Sequence, residues 1–377
     1  MKTFLTTTAL VAAFAAPALA EIKIGASLSS TGPAAFLGDP ELKTLEMLVE
    51  DLNAKGGING EEVSLIAYDD NGDPNKARTF ATRLVEDDEV VAIIGGTTTG
   101  TTMSILAVAE DAEIPFISLA GAIDIISPVK PYTFKTPHTD RMACQKIFED
   151  MQKRGIAKIG MISGTDGFGA SMQAQCKAVA GDYGIEVLAD ETYDPKDADM
   201  TAQLTKIKGV EGVQAILNPG FGQGPSIVTR NVKQLAIDLP FYQSHGVASD
   251  GFIELAGADA AEGVRLPGTA LLVADLLAAD DPQKPVVDAY KAMYEEKTGT
   301  PVGTFGGYAN DAFLIMTDAI ARAGSAEPAA IRDAIEATTG LAGTTGVYSF
   351  TAEDHLGLDL SAFRMLEIKG GKWTLVQ

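Results

Sequence analysis

Residues that bind transition metals are scarce in this chain. Its 377 residues include two cysteines and three histidines, with no CxxC motif and no cluster of Cys with His. Structural zinc sites are built from such clusters, so we expect no metal site. The acidic stretch YDDNGDP, residues 68–74, lacks the twelve-residue spacing and the closing Glu of a calcium-binding loop.

Motifs for cofactors and catalysis are missing as well. There is no phosphate-binding loop ending in Gly-Lys-Ser or Gly-Lys-Thr, and no GxGxxG followed by an acid, so we expect no cofactor. There is no GxSxG motif, and three histidines offer little material for a catalytic triad. We therefore do not expect an enzyme. An exported enzyme acting on a small organic acid is the alternative from another functional class.

Positive charge is in short supply. The chain has 29 Lys and Arg against 51 Asp and Glu, a net charge of −22. Such a field repels nucleic acid, so we expect no nucleic-acid partner. An anionic ligand would have to be held by local dipoles, because the global field does not attract it.

Apolar runs long enough to suggest a membrane segment are confined to the first twenty residues. MKTFLTTTALVAAFAAPALA has an early Lys, a short apolar stretch and small residues before Glu21. This pattern predicts a cleaved export signal over residues 1–20. A buried helix or a membrane anchor is the alternative, but the apolar stretch is too short to span a bilayer. Export permits a disulfide between Cys144 and Cys176, on predicted helices flanking one strand, and two separate thiols fit the sequence equally well.

Strand-like apolar runs alternate with amphipathic helical segments along the rest of the chain. The runs IKIGASL, EVSLIAYDD and VVAIIGG are each followed by a helical pattern, over about residues 39–55, 74–86 and 100–112. The alternation restarts after about residue 138. It is typical of parallel sheets covered by helices, and the length suits two domains. We predict two doubly wound α/β lobes with a cleft between them.

Five of the predicted strands end in glycine-rich, polar segments. Ligands of such sheets bind beyond the carboxyl ends of the strands, so each segment is a candidate wall of the cleft. The five segments are GGTTTG (95–100), SLAGA (118–122), SGTDGFG (163–169), NPGFGQG (218–224) and QSHGVASDG (243–251).

The first of these segments carries hydroxyls at the start of a predicted helix. Thr98, Thr99 and Thr101 lie where unpaired backbone N–H groups carry partial positive charge, which suits a carboxylate or phosphate. A purely structural helix cap is the alternative for any single Thr. In two later segments Phe168 and Phe221 suit a pocket for an apolar body, or ordinary packing between the lobes. His245 is either a ligand contact or a solvent-facing loop residue.

An ordered set of motifs over nearly the whole mature chain resembles a known family. These motifs are GxSLSSTGPAAFLGD, LNAKGGINGEEV, YDDNGDP, VVAIIGG, IPFISLAGA, DGFG and GVAS. They resemble the periplasmic leucine/isoleucine/valine-binding proteins, the type I solute-binding components of ABC importers. The resemblance implies two lobes joined by three crossovers, a periplasmic location, and delivery of ligand to a membrane permease with a cytoplasmic ATPase. We place the first lobe at 21–138 plus 269–345 and the second at 139–268 plus 346–377, and expect a monomer.

The resemblance also assigns site residues by position. The carboxylate-binding hydroxyl of the family falls on Thr99, and its second hydroxyl falls where this chain has Ala120-Gly121-Ala122. Its ligand-contacting aromatics fall on Phe168, Phe221 and Tyr308, and the first motif contributes Phe36. The acid that binds the ligand's ammonium falls on His245.

Two of these positions depart from the family pattern in a way that bears on the ligand. With Ala122 and His245, the hydroxyl and the acid that an α-ammonium needs are missing, and a buried ammonium without an acceptor is costly. We therefore expect a small carboxylate without an α-ammonium, with an apolar or aromatic body, such as a benzoate or a phenylpropenoate. A branched-chain or other hydrophobic amino acid is the alternative within the family.

Overall fold

The computed structural model describes residues 21–376, so the predicted export signal lies outside the described residues. Over residues 21–376, no helix combines the length and the apolar character that crossing a membrane requires.

Fourteen strands occur in the described residues, and most belong to two sheets. The first sheet has the order β2-β1-β3-β4-β5 with every pairing parallel. The second has the order β14-β13-β10-β9-β8-β6-β7, in which only the pairings of β13 are antiparallel. The strands are β1 Ile22–Leu28, β2 Val63–Asp69, β3 Ala92–Gly95, β4 Phe116–Ser118, β5 Thr133–Lys135, β6 Lys158–Gly164, β7 Glu186–Tyr193, β8 Ala215–Asn218, β9 Phe241–Gln243, β10 Arg265–Gly268, β11 Leu341–Ala342, β12 Val347–Tyr348, β13 Arg364–Lys369 and β14 Lys372–Leu375.

Twelve α-helices in the same residues cover the two sheets. The contacts of α1 and α11 with each other, and of α2 with α3, give the first sheet two covering helix pairs. In the second lobe α4 packs on α5, while α7 packs on α6, α8 and α9. The helices are α1 Ala35–Ala54, α2 Pro74–Glu86, α3 Thr99–Asp111, α4 Asp140–Lys153, α5 Gly167–Ala180, α6 Thr201–Lys208, α7 Gln223–Gln234, α8 Asp250–Ala256, α9 Ala258–Ala261, α10 Lys284–Thr298, α11 Thr304–Ala323 and α12 Pro328–Glu336.

Local sequence signals explain several of these boundaries. Asp73 accepts a hydrogen bond from the N–H of Asn75 and so caps α2, which begins at Pro74 as predicted. Helix α1 begins about four residues before its predicted start and carries Pro40 in its second turn. The prediction placed the helix start at about residue 39, whereas a 3-10 turn over Gly32–Ala34 leads directly into the helix at Ala35.

The chain passes between the lobes three times. The crossings follow β5, follow β10 and precede β13, and they give the predicted architecture of two parallel-sheet lobes joined by three crossovers. The stretch 346–358 contacts the first lobe: Tyr348 Oη donates to the carbonyl of Thr136, and the imidazole of His355 stacks on Phe134. The lobe bounds stay a prediction, and these contacts favour a last boundary nearer residue 360 than 345.

The two cysteines form a disulfide. Cys144 of α4 and Cys176 of α5 are bonded to each other on one face of the second sheet. Both are fully buried. Of the two arrangements that the sequence left open, the structure has the bonded one, which ties together two helices packed side by side.

Candidate functional site

A small cavity lies between the lobes, where the carboxyl ends of their parallel strands face each other. The cavity has a volume of about 40 Å³, which is room for a few water molecules at roughly 10–15 Å³ each. A larger solute therefore requires the lobes to move apart. The lining residues are Leu37, Thr97, Thr98, Thr99, Leu119, Ala120, Gly121, Pro137, Phe168, Phe221, His245, Gly246, Phe305 and Tyr308.

Seven of the ten residues predicted for the site line this cavity, and three do not. The seven are Thr98, Thr99, Ala120, Phe168, Phe221, His245 and Tyr308. The other three are Thr101, Ala122 and Phe36, each of which has a different environment described below.

The start of α3 is held by a reciprocal cap. Thr98 Oγ1 accepts from the N–H of Thr101 at 3.2 Å, and Thr101 Oγ1 accepts from the N–H of Thr98 at 3.1 Å. This pair forms a capping box and fixes the first turn of the helix. The hydroxyl of Thr101 is therefore occupied by the helix itself, which explains why Thr101 does not line the cavity.

The same turn leaves donors free at the cavity wall. Among the described residues, nothing pairs with Thr99 Oγ1, although its atom is buried. The backbone N–H groups of Thr99 and Gly100 are the first two of the helix and have no carbonyl within the helix to pair with. The positive end of the helix dipole adds to their field. The start of α3 therefore offers the Thr99 hydroxyl and two backbone N–H groups that the helix itself does not pair.

Aromatic rings form the opposite side of the cavity. Phe168 at the start of α5 meets Phe221 edge to face, with ring centroids 6.2 Å apart. Asp166 fixes Phe168 by accepting from its N–H at 3.0 Å. Phe36 stacks on the outer side of Phe221 at 6.4 Å and is 37% exposed, so it lines the adjoining open groove and not the cavity.

His245 is buried between the lobes and is not the solvent-facing loop residue of the alternative reading. It is 3% exposed and begins a 3-10 turn after β9. Its ring lies edge-on to Phe168 at 5.3 Å, and its Nδ1 has no hydrogen-bond partner of good geometry among the described residues. Burial and the nearby Lys135 lower the pKa of His245 to about 3. The imidazole is therefore neutral at ordinary pH.

Lys135 lies behind this wall and explains the environment of Ala122. Its Nζ donates to the carbonyls of Ala122 and His138 at 3.3 and 3.4 Å, and it is fully buried. Burial lowers the pKa of Lys135 to about 7, opposed by the charge of Asp140. Ala122 faces this cluster and does not line the cavity.

The lobes approach each other closely at Gly121. A Cβ added there would lie 2.8 Å from Phe168 Cε2 and 2.9 Å from His245 Nε2. Both distances are shorter than real carbon contacts, so only glycine allows these two second-lobe side chains to approach the strand end after β4.

Several lining residues escaped the sequence analysis. Thr97 and Gly121 lie inside segments that were identified as cleft walls, so a signal for them was present. Leu37 follows the predicted Phe36 on α1, and Phe305 lies one turn before the predicted Tyr308 on α11. The sequence does not show how each helix is rotated, so it does not show which of its side chains face the cavity. Tyr308 is buried with its Oη unpartnered among the described residues, and burial raises its pKa.

Comparison with known proteins agrees with this architecture. The model of the periplasmic binding protein family matches residues 21–372. A leucine-, isoleucine-, valine-, threonine- and alanine-binding protein from Pseudomonas aeruginosa is 29% identical, over 87% of this chain and 86% of its own length. An extracellular ligand-binding receptor from Rhodopseudomonas palustris HaA2 is 30% identical with a TM-score of 0.88, over 95% of this chain and 100% of its own.

A further solved structure supports the fold alone. The branched-chain amino acid transporter substrate-binding protein LivJ from Streptococcus pneumoniae, in complex with isoleucine, is 24% identical with a TM-score of 0.83. The alignment covers 94% of this chain and 98% of that one. With the family model matching nearly the whole chain and the two-lobed fold and cleft in place, this chain belongs to the periplasmic binding protein family, of the type that includes the Leu/Ile/Val-binding proteins.

Proposed function

We propose that this periplasmic solute-binding receptor captures a small carboxylate with an apolar or aromatic body in the interlobe cleft. One observation carries the proposal: the free donors at the start of α3 face a ring-lined wall that holds no acid. Among the described residues, the cavity lining contains no Asp, Glu, Lys or Arg.

The carboxylate end would bind at Thr99. Its unpartnered Oγ1 is buried, and the first two N–H groups of α3 have no partner within the helix. A buried donor left unsatisfied costs about 1–3 kcal/mol, so a ligand that accepts from it recovers that cost. The helix dipole favours an anion here without any basic side chain.

The rest of the ligand would contact rings and aliphatic groups. Phe168, Phe221 and Phe305 line the cavity with Leu37 and Leu119. An α-ammonium would find no carboxylate among these residues, and burying a charge without a partner is costly. These features favour an aromatic acid such as a benzoate or a phenylpropenoate.

A branched-chain or other hydrophobic amino acid is the second candidate. It is supported by the Pseudomonas aeruginosa relative, whose name states that it binds leucine, isoleucine, valine, threonine and alanine. In that case the ammonium would have to use neutral acceptors such as the unpartnered Nδ1 of His245 or Oη of Tyr308.

A thermal-shift panel tests the proposal directly. Benzoate, cinnamate, a short keto acid, L-leucine and L-isoleucine would each be added to the mature chain, with benzyl alcohol as the control that lacks a carboxylate. A ligand at 100 times its Kd should stabilise the fold by about 2.7 kcal/mol. A shift with the acids and none with benzyl alcohol is expected. Unchanged melting across the whole panel would refute the ligand class.

Replacing His245 by Glu separates the two candidates. The new charge would lie in the wall of the cavity, so it should weaken binding of a simple acid by electrostatic repulsion. It should preserve or improve binding of an amino acid, whose ammonium gains a partner. His245→Gln is the matched neutral control, and Kd by calorimetric titration is the measurement.

Delivery to a permease of an ABC importer, and action as a monomer, belong to the same proposal. A receptor releases its ligand unchanged, whereas an enzyme acting on a small organic acid forms product. Mass spectrometry of the acid after incubation with the protein distinguishes them, and size-exclusion chromatography with light scattering measures the mass in solution.

A further inference from the structure

A carboxyl group is buried directly behind the cavity wall. Glu41 of α1 is fully buried, and its Oε2 lies 2.5 Å from Oγ1 of Thr97, which lines the cavity. Its other oxygen, Oε1, has no hydrogen-bond partner among the described residues. The sequence analysis assigned no role to Glu41.

The position of Glu41 follows from how tightly α1 packs on the first sheet. A Cβ on Gly38 would lie 2.3 Å from the carbonyl oxygen of Ser29, so the helix backbone rests on the chain that follows β1. One turn later Glu41 reaches Thr97. The N–H of Ser29 also donates to Thr97 Oγ1, at 3.0 Å. The backbone of one strand end and the carboxyl of α1 therefore share a single hydroxyl.

The surroundings of Glu41 favour its neutral form. The titratable groups that face it from neighbouring elements are Asp70, after β2, and Tyr308 of α11. Neither is a cation. Burial raises the pKa of Glu41 well above its ordinary value, the hydrogen bond with Thr97 opposes this, and Asp70 adds to it. A buried carboxyl without a cation is expected to hold its proton.

The proton of Glu41 decides what the Thr97 hydroxyl can do. A hydroxyl has one hydrogen to donate and two lone pairs. Its first lone pair always accepts from Ser29. If Glu41 is ionised, Thr97 must donate its hydrogen to Oε2, which leaves only a lone pair for a ligand. If Glu41 is protonated, it donates to the second lone pair, which frees the hydrogen of Thr97 for a ligand.

We propose that Glu41 is a positioning residue for ligand binding, and that its proton makes the Thr97 hydroxyl a donor to the ligand carboxylate. The proposal deepens the proposed function and rests on it. The protonated form should bind a carboxylate more tightly, by the value of one hydrogen bond to a charged group, roughly ten- to hundredfold. Affinity should therefore fall as pH rises through the range in which Glu41 ionises.

Calorimetric titration over a range of pH tests the coupling. Benzoate and L-leucine are the probes, and each is titrated into wild type, Glu41→Gln and His245→Gln. Wild type should lose ten- to hundredfold in affinity as pH rises through the ionisation of Glu41, and it should take up a proton on binding only at pH values where free Glu41 is ionised. Glu41→Gln, which cannot ionise, should lose the change in Kd with pH that Glu41 causes, and any change that is left should follow Lys135, whose pKa is about 7. In His245→Gln the Kd should change with pH as in wild type. If the pH dependence disappeared in His245→Gln and not in Glu41→Gln, the assignment to Glu41 would be overturned.

A second measurement needs no ligand and separates this inference from the proposed function. Carbon NMR of protein labelled at the Glu carboxyl carbons, with Glu41→Gln to identify the signal, reports the proton of Glu41 directly. Glu41 should be protonated at neutral pH. Replacing Thr97 by Val should raise the ionisation midpoint, because a hydrogen bond to the charged form is lost. Thr97→Ser should restore it.

The outcomes are distinct. If neither probe binds, the proposed function fails, and the NMR titration still decides the state of Glu41. The inference fails, whatever the ligand, if Glu41 is ionised at neutral pH. It also fails if Thr97→Val leaves the pH midpoint of Glu41 ionisation unchanged. Wild-type pH dependence retained in Glu41→Gln would overturn it as well.

Discussion

Replacement of Thr99 by Val should weaken ligand binding without lowering stability. Thr99 Oγ1 is buried and has no partner in the described part of the chain, so its hydroxyl contributes no hydrogen bond to the fold. Val keeps the shape of the side chain and removes an unsatisfied polar atom. The free energy of unfolding should therefore stay within about 0.5 kcal/mol of wild type or rise slightly.

The loss of affinity follows from the role proposed for the same atom. A hydrogen bond to a charged group contributes about 1.5–3 kcal/mol, and each 1.4 kcal/mol is a factor of ten in Kd. Kd for the acid that gives the largest thermal shift should therefore rise about ten- to hundredfold. Calorimetric titration measures Kd, and urea denaturation of the ligand-free protein measures stability.

Thr101→Val is the matched control, since it makes the same chemical change two residues further along the chain. Thr101 belongs to the capping box, so its loss should lower the free energy of unfolding by about 0.5–2 kcal/mol. It does not line the cavity, and its effect on Kd should be the smaller of the two. The reasoning is refuted if Thr99→Val leaves Kd within twofold of wild type. It is also refuted if Thr101→Val weakens binding while Thr99→Val lowers stability.

Three further predictions concern the cleft and the second lobe. The pKa of His245 is about 3 when folded and near 6.5 when unfolded, so the free energy of unfolding should fall as pH drops between these values. Measured by urea denaturation between these pH values, the free energy of unfolding should change less steeply with pH in His245→Gln, by up to about 1.4 kcal/mol per pH unit. Equal slopes for the variant and wild type would refute this. Gly121→Ala places a methyl against Phe168 and should raise the Kd in titration about tenfold or more, because the lobes can no longer approach each other as closely; a Kd within twofold of wild type would count against this. Replacing Cys144 and Cys176 by Ala removes a link across 32 residues and should lower stability in urea by about 3.5 kcal/mol; a change under 1 kcal/mol would contradict it.

Much of the fold was predictable because it depends on local patterns. Strands buried on both faces appear as short apolar runs, as in β1 and β3, and helix starts carry caps such as Asp73. The ends of parallel strands must lie at one edge of their sheet, so polar segments after these strands predicted the walls of the cleft. The start of α1 was placed about four residues late, because its first turn is fixed by packing against the chain after β1, as at Gly38, and not by a local capping signal.

The sequence pattern alone could not decide which side chains face the cavity. Three neighbouring threonines look alike in the sequence, yet Thr98 and Thr101 bond to each other while Thr99 Oγ1 stays free. The difference comes from the phase of one helical turn. His245 reads equally well as an exposed loop residue, and its burial depends on side chains such as Phe168 and Phe363 contributed from distant parts of the chain.

The sequence by itself determined the two-lobed parallel architecture, the edge of each sheet that faces the cleft and the absence of acids from the segment 95–104 around Thr99. Those properties follow from periodicity and composition, which each segment carries alone. Only the tertiary structure decided the disulfide, the burial of His245 and the contact of Glu41 with Thr97. Each of these joins residues 32 or more positions apart in the chain, and their proximity depends on packing that no single segment encodes.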